Sequence, residues 1–405
     1  MSTPLSNPTP LDVADRAVRR TRRCDIFCAV IDNFGDIGVS WRLARQLATE
    51  HGWQVRLWVD DLPAFAQLCP SLDPQASRQT IGAIEIAHWP SAAGLPGAAE
   101  ANAEVVIEAF ACELPPDYLN GMAQQPRRPL WLNLEYLSAE AWVPEFHAQL
   151  SPHPRHALLK IFFFPGFVSG TGGLLRERDL GRNRATFLQS AAPGGASGLW
   201  QQLKIAAPAP AALRVSLFAY ENPALPALLQ AWRDGSAPVV CIVPAGRISA
   251  GVAQFLGLPS FGATDRVQIG QLTLQAVPFM ESTHYDRLLW ACDLNFVRGE
   301  DSLVRAIWAG QPLVWHIYPQ ADAAHLPKLE AALAIYGAGL PSAAHQALQR
   351  FWQAWNAGDG SALDWPSLRT QLTPLAARTQ QWAEELSSLG DLAGNLAEFA
   401  ENKLK

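Results

Sequence analysis

The segment from Cys24 to Trp41, C-D-I-F-C-A-V-I-D-N-F-G-D-I-G-V-S-W, confines the fold more tightly than any other stretch of the chain. Its apolar run, Ile26 to Ile31, is short and sharply flanked, the pattern of a strand buried on both faces. Asp32, Asn33, Gly35, Asp36 and Gly38 punctuate it, and Ile37, Trp41, Ala44, Leu47 and Ala48 then recur at helical spacing. Strand, glycine turn and helix in that order place a loop at the carboxyl end of a parallel strand, where open α/β sheets bind ligands. Two carboxylates in that loop, with no cysteine or histidine beside them, point to acid/base or hydrogen-bonding work.

The rest of the chain repeats the unit. Strands are expected at Gln54–Val59, Ile84–His88, Ala103–Ile107, Trp131–Leu134 and Leu159–Phe164, with a helix around Phe65. Pro165 to Asn183, rich in glycine and arginine, has the composition of a long loop, and Ala192 to Gly198 with Pro208 and Pro210 mark a hinge. A second series follows: strands at Leu213–Phe218, Val239–Val243, Leu272–Val277, Leu294–Val297 and Pro312–Trp315, and helices at Pro223–Trp232, His284–Trp290 and Ser302–Ala309, the last stopped by Gly310. From about Ala343 the chain is helical and carries Trp352, Trp355, Trp365 and Trp382. Two α/β halves joined by a hinge imply a cleft, and ligand sites favour such interfaces.

At 405 residues the chain exceeds the size of a single core, which makes two domains the default. Its net charge of -6 argues against a nucleic-acid-binding body. No apolar run is long enough to span a membrane. Arg16, Arg19, Arg20, Arg22 and Arg23 precede the first strand with no apolar core behind them, which reads as a disordered leader over residues 1–23 rather than a secretory signal. Cys24, Cys28, Cys69, Cys112, Cys241 and Cys292 form no C-x-x-C pair, consistent with reduced structural thiols in a cytoplasmic protein, and no structural metal is expected.

Arg298-Gly299-Glu300-Asp301-Ser302 occupies the matching strand-to-helix position in the second half. The first N–H groups of that helix are unsatisfied and suit a phosphate, to which Arg298 could add a charge-assisted contact. Phe218, Tyr220, Phe279 and Tyr318 stand near other strand ends, where they could stack on a base or sugar. A blander account has Arg298, Glu300 and Asp301 pairing with one another to cap the helix, with Phe218 and Phe279 in the core. The acidic loop in the other half favours a two-sided site. That loop also mimics a dinucleotide fingerprint, with Asp60 further on. However, Gly35-Asp36-Ile37-Gly38 is not G-x-G-x-x-G, and an aspartate there would repel a pyrophosphate. The loop carboxylates therefore belong to an acceptor.

N-F-G-D-I-G-V-S-W-R-L-A-R-Q-L at 33–47, F-A-Y-E at 218–221 and R-G-E-D-S-L-V-R-A at 298–306 together resemble the EarP family, protein-arginine rhamnosyltransferases that modify elongation factor P. F-F-F-P-G-F with T-G-G-L-L-R-E (162–177) and P-L-V-W-H-I-Y-P-Q (312–320) extend the resemblance over nearly everything from Cys24 onward. It implies an α/β GT-B fold of two facing Rossmann-like domains, the acceptor on the N-terminal half and the donor, dTDP-β-L-rhamnose, on the C-terminal half. Implied boundaries are an N-terminal domain over 24–190, a hinge over 191–210, a C-terminal domain over 211–375 and a C-terminal helix within 376–405 that packs back on the N-terminal domain. Asp36 would be the general base, Asp32 its support and Glu300 the second essential carboxylate. Phe218, Tyr220, Phe279, Arg298, Asp301, Ser302 and Tyr318 would contact the donor, with Asn33, Phe34, Gly35 and Gly299 beside them. The implied reaction is inverting, gives an α-rhamnosyl arginine and uses neither metal nor cofactor, in keeping with the absence of a D-x-D motif between the domains.

Acceptor chemistry sharpens the role of Asp36. A guanidinium has a pKa of about 12.5–13.8 against about 3.9 for an ordinary aspartate, so full proton transfer before attack would cost on the order of 12 kcal/mol. A concerted path is expected, in which carboxylates grip and orient the guanidinium and the proton moves late. Rivals are a GT-B transferase or nucleotide-sugar epimerase acting on a small or envelope-linked acceptor, and a catalytically silent nucleotide or partner binder. The first often carries a basic membrane patch, whereas lysine here is confined to Lys160, Lys204, Lys328, Lys403 and Lys405.

Overall fold

A computed structural model describes residues 21–31, 34–89, 98–190, 197–320 and 323–405. Asp32, Asn33 and most of the arginine-rich leader lie outside the described residues. The N-terminal half contains β1 (Arg23–Cys28), β2 (Gln54–Val59), β3 (Arg78–Ile81), β4 (Ile84–His88), β5 (Val105–Ala109), β6 (Leu130–Leu134), β7 (Leu150–Pro152) and β8 (Leu159–Phe163). They form one sheet in the order β3-β4-β2-β1-β5-β6-β8-β7. The C-terminal half holds β9 (Leu213–Leu217), β10 (Val239–Pro244), β11 (Arg266–Ile269), β12 (Leu272–Val277), β13 (Leu294–Arg298) and β14 (Leu313–His316), ordered β11-β12-β10-β9-β13-β14. Pairing is parallel except at the edge strands β3, β7 and β11, which run antiparallel to their neighbours. In each sheet the order reverses beside the first strand of the half, β1 or β9, the switch point at which such folds open a crevice.

All three antiparallel edges escape a reading based on apolar runs. Arg78-Gln79-Thr80-Ile81 and Arg266-Val267-Gln268-Ile269 are polar, partly exposed segments made strands by the neighbour they pair with. The first strand is also shifted from the expected Ile26–Ile31. It begins at Arg23 and ends at Cys28, because the following backbone is captured by side chains: Val30 N–H donates to Asp60 Oδ1 (2.8 Å) and Ile31 N–H to Asp36 Oδ2 (2.9 Å). Arg22, expected in a disordered leader, is buried and paired with Glu104 (3.1 Å) and Glu401 (2.9 Å). The expected loop Pro165–Asn183 gives way to a helix at Leu180–Gln189.

Six helices position the site: α1 (Gly35–His51), α2 (Ser282–Ala291), α3 (Asp301–Ala309), α4 (His325–Gly337), α5 (Leu372–Ser387) and α6 (Leu392–Lys403). Helix α3 ends at Gly310, whose φ of 66° is the left-handed conformation that glycine adopts without strain. Helix α5 belongs to the C-terminal core, where Trp382 stacks on Tyr336 at 5.0 Å. The chain then crosses over, and α6 buries Leu392, Ala393, Leu396, Ala397 and Ala400 in the N-terminal core. The crossing therefore falls between Ser387 and Leu392, later than the expected boundary at 376. The two halves also meet through Phe167, stacked on Trp382 at 5.5 Å, and through Trp308 Nε1, which donates to the Leu175 carbonyl. All six cysteines are unpaired, and five of them are buried.

Candidate active site

The carboxyl ends of β1 and β13 face one another, and each delivers a loop into a helix. Asp36 sits in the first turn of α1, only 2 % exposed, and its Oδ2 accepts the Ile31 N–H that folds the loop back on itself. Tyr136 lines the cavity beside this carboxylate, close enough for the Asp36 charge to act on its phenol. Glu300 precedes α3 and reaches across the cleft, its Oε2 accepting the Leu137 N–H at 2.8 Å. Asp36 and Glu300 thus come from different domains to line one cavity of about 160 Å3, together with Gly35, Phe110, Tyr136, Gly299, Tyr318 and Lys328.

A second cavity, of about 50 Å3, lies on the other side of the Gly35 loop. Phe34, Arg42, Phe218, Phe279, Arg298, Asp301 and Ser302 line it. Arg298, 5 % exposed, lays its guanidinium 4.8 Å from the Phe218 ring, 4.7 Å from Tyr220 and 5.9 Å from Phe34. Phe34 in turn meets Phe279 at 4.6 Å, and Tyr220 meets Tyr318 edge-on at 5.6 Å. A charge held among aromatic faces and released toward a cavity suits a flat, anionic ligand.

Ser302 has a structural task as well. Its hydroxyl accepts the Arg298 N–H at 2.9 Å and donates to the Arg298 carbonyl, clamping the turn from β13 into α3. Helix α3 has no side-chain cap, and its first internal bond is Val304 N–H to the Glu300 carbonyl. Its leading N–H groups therefore remain for a ligand. Asp301 does not pair with Arg298, as the cap-only account requires. It pairs with Arg42 of α1 at 2.7 Å, joining the two domains across the second cavity.

The structure brings together Phe34, Gly35, Asp36, Phe218, Phe279, Arg298, Gly299, Glu300, Asp301, Ser302 and Tyr318 around these adjoining cavities, with Tyr220 behind them against Arg298 and Tyr318, while Asp32 and Asn33 fall outside the described residues. Sequence reasoning missed Arg42, Phe110, Tyr136 and Lys328. Tyr136 carries a findable signal, since it follows β6 at the same carboxyl edge of the sheet as Asp36. Phe110 directly follows β5 at that edge too, but its backbone takes φ 57°, a conformation that a phenylalanine rarely adopts and that its residue type does not announce. Burial, reinforced by Asp36 and Glu300, pushes the Tyr136 phenol well above its ordinary pKa, keeping it protonated and a hydrogen-bond donor.

Two facing Rossmann-like domains, with opposed carboxylates beside a phosphate-competent helix end, define an enzyme of the GT-B glycosyltransferase class. Residues 24–401 match the family described as Elongation-Factor P (EF-P) rhamnosyltransferase EarP. The chain belongs to the EarP family. It is 50% identical over 377 residues to a protein-arginine rhamnosyltransferase of Pseudomonas aeruginosa, covering 93% of this chain and 98% of that one. A solved structure described as "Structural basis for EarP-mediated arginine glycosylation of translation elongation factor EF-P" superposes with a TM-score of 0.66 at 35% identity, covering 94% of this chain and 99% of the other. The spinosyn rhamnosyltransferase SpnG shares the fold at a TM-score of 0.51 and 15% identity, covering 94% and 100%.

Proposed function

We propose that this enzyme transfers L-rhamnose from dTDP-β-L-rhamnose to an arginine side chain of translation elongation factor P, with inversion at the anomeric carbon. The observation that carries the reading is the meeting of Asp36 and Glu300, from opposite domains, on one cavity beside the aromatic-walled chamber of Arg298. The names of its family and relatives supply rhamnose and arginine as donor sugar and acceptor. A translation factor as acceptor supports the reading of a cytoplasmic enzyme; no described helix is long and apolar enough to cross a membrane.

In this reading the acceptor guanidinium is held by Asp36 and Glu300 through charge-assisted hydrogen bonds, which localise its electrons and aim one nitrogen at the anomeric carbon. That nitrogen forms the C–N bond as the bond from the anomeric carbon to the diphosphate oxygen breaks. The proton passes to Asp36 late, once the nitrogen carries the new bond and has become acidic. Arg298 and the leading N–H groups of α3 take the charge growing on the diphosphate, the role a metal plays in other transferases. Activity is therefore expected to survive EDTA unchanged.

Purified enzyme, dTDP-β-L-rhamnose and elongation factor P should give an acceptor heavier by one deoxyhexose in intact-mass spectrometry. Asp36→Asn should bind donor normally and lose turnover by about 10²–10⁴-fold, the usual weight of a general base. Near-normal turnover in that variant sinks the assignment. An acceptor-free reaction that converts the nucleotide-sugar itself would favour the epimerase reading.

A further inference from the structure

Tyr136 and Phe110 stand in the acceptor cavity with no role in the reading above. Their rings stack at 4.6 Å with an interplanar angle of 20°, and both line the cavity that Asp36 and Glu300 share. Phe110 covers one side of the Tyr136 ring. Tyr136 is only half-buried, so its ring remains open to the cavity. The ammonium of Lys328, carried by α4 of the opposite domain, lies 5.8 Å from the centre of that ring. A cation is thus already drawn to the aromatic surface between the two carboxylates.

We infer that the Tyr136 ring, backed by Phe110, is the surface on which the acceptor guanidinium stacks, and that this pair makes the site select arginine. The inference rests on the proposed arginine acceptor and adds the residues that recognise it. A guanidinium is planar, weakly hydrated and able to stack on an aromatic face while its N–H fork meets carboxylates at the edge. An ammonium can satisfy the carboxylates but offers no plane to stack. Lys328 acts as the placeholder that the entering arginine displaces.

The backbone beneath Phe110 is built to hold its ring in place. Phe110, Ala111 and Glu113 take φ of 57°, 53° and 57°, a left-handed conformation that residues with a side chain rarely adopt. Specific partners impose it: Phe110 N–H donates to the Leu134 carbonyl (2.7 Å), Ala111 N–H to Asn133 Oδ1 (3.1 Å) and Glu113 N–H to Glu108 Oε1 (3.1 Å). A loop needed only to connect a strand to a helix has no use for three such residues. Tyr136 also carries a hydroxyl, which the stacking itself does not need. Ring and hydroxyl can therefore be separated by substitution.

Steady-state kinetics with elongation factor P and dTDP-β-L-rhamnose test this. Tyr136→Leu should raise the acceptor KM about 2- to 30-fold, the range of one cation–π contact, and leave the donor KM within about two-fold. Tyr136→Phe, nearly isosteric, should keep the acceptor KM, since the ring on which the guanidinium stacks survives. An unchanged acceptor KM in the leucine variant, or equal rises in donor and acceptor KM, overturns the inference. Should the leucine variant not fold, the phenylalanine variant decides alone, and a raised acceptor KM there overturns it. A wild-type enzyme that adds no deoxyhexose to the acceptor sinks the functional reading itself, an outcome distinct from either variant result.

Discussion

Glu300 and Asp301 are neighbours in the chain, yet their carboxylates serve different chambers. Glu300 lines the cavity of Asp36, whereas Asp301 lines that of Arg298 and is held by Arg42. The turn that Ser302 clamps carries both, and the two adjacent carboxylates face different cavities. Arg298 is the other single side chain with a sharp expectation. Its guanidinium carbon lies over the rings of Phe218 and Tyr220, a contact that a compact lysine ammonium makes less well. Arg298→Lys should raise the donor KM by roughly ten-fold while the acceptor KM stays put, which initial-rate kinetics with each substrate varied in turn would show.

Strand β14 carries a pH-sensitive weakness. His316 ends that strand in register with Arg298, buried against Tyr220 and Trp355. Burial, and then the Arg298 charge, lowers its pKa from 6.5 to about 4. Between those values the unfolded chain binds a proton that the folded one refuses, so stability falls as pH drops from 6.5 toward 4. The full loss is on the order of 3 kcal/mol, at about 1.36 kcal/mol per unit. His316→Gln should flatten this part of the stability curve, measured as melting temperature against pH. A slope equal to that of the wild type would contradict the assignment.

Across the whole molecule, the two halves are joined by a network of charges built on the buried Arg42, Asp286 and Arg305, with Glu177 and Asp301 partly exposed. Arg42 of α1 reaches Asp301 (2.7 Å), Glu177 (3.3 Å) and Asp286 of α2 (3.5 Å), while Arg305 of α3 reaches Asp286 (2.6 Å) and Glu177 (2.7 Å). Burial raises the Glu177 pKa, but Arg305 and Arg42 outweigh it and hold the carboxyl well below its ordinary range. Its contribution is therefore present at neutral pH and is lost only as pH falls below the ordinary value of 4.5, a more acidic window than that of His316. Arg42→Ala removes one of two arginines from three carboxylates and should cost about 3–5 kcal/mol in denaturant unfolding. A loss below about 1 kcal/mol would mean that the network contributes little to joining the domains.

The local pattern of the chain was enough to establish the class of fold and the acidic loop. Segments such as Gln54–Val59 and Leu272–Val277 match their strands residue for residue, because a short, mostly apolar run bounded by polar turns is what a strand within a parallel sheet requires. Asp36, Arg298 and Glu300 were legible for a related reason: each sits where a strand hands over to a helix, a junction that glycine and charge mark in the sequence. Tertiary structure alone decided the rest. Edge strands β3, β7 and β11 exist because a neighbour offers them hydrogen bonds, and the partner of Asp301 proved to be Arg42, some 260 residues away, rather than nearby Arg298. Phe110 and Tyr136 likewise meet through backbone angles that no residue type announces. A sequence records which surfaces must be buried, while the pairing of charges and rings across a cleft depends on how two whole sheets are set against each other.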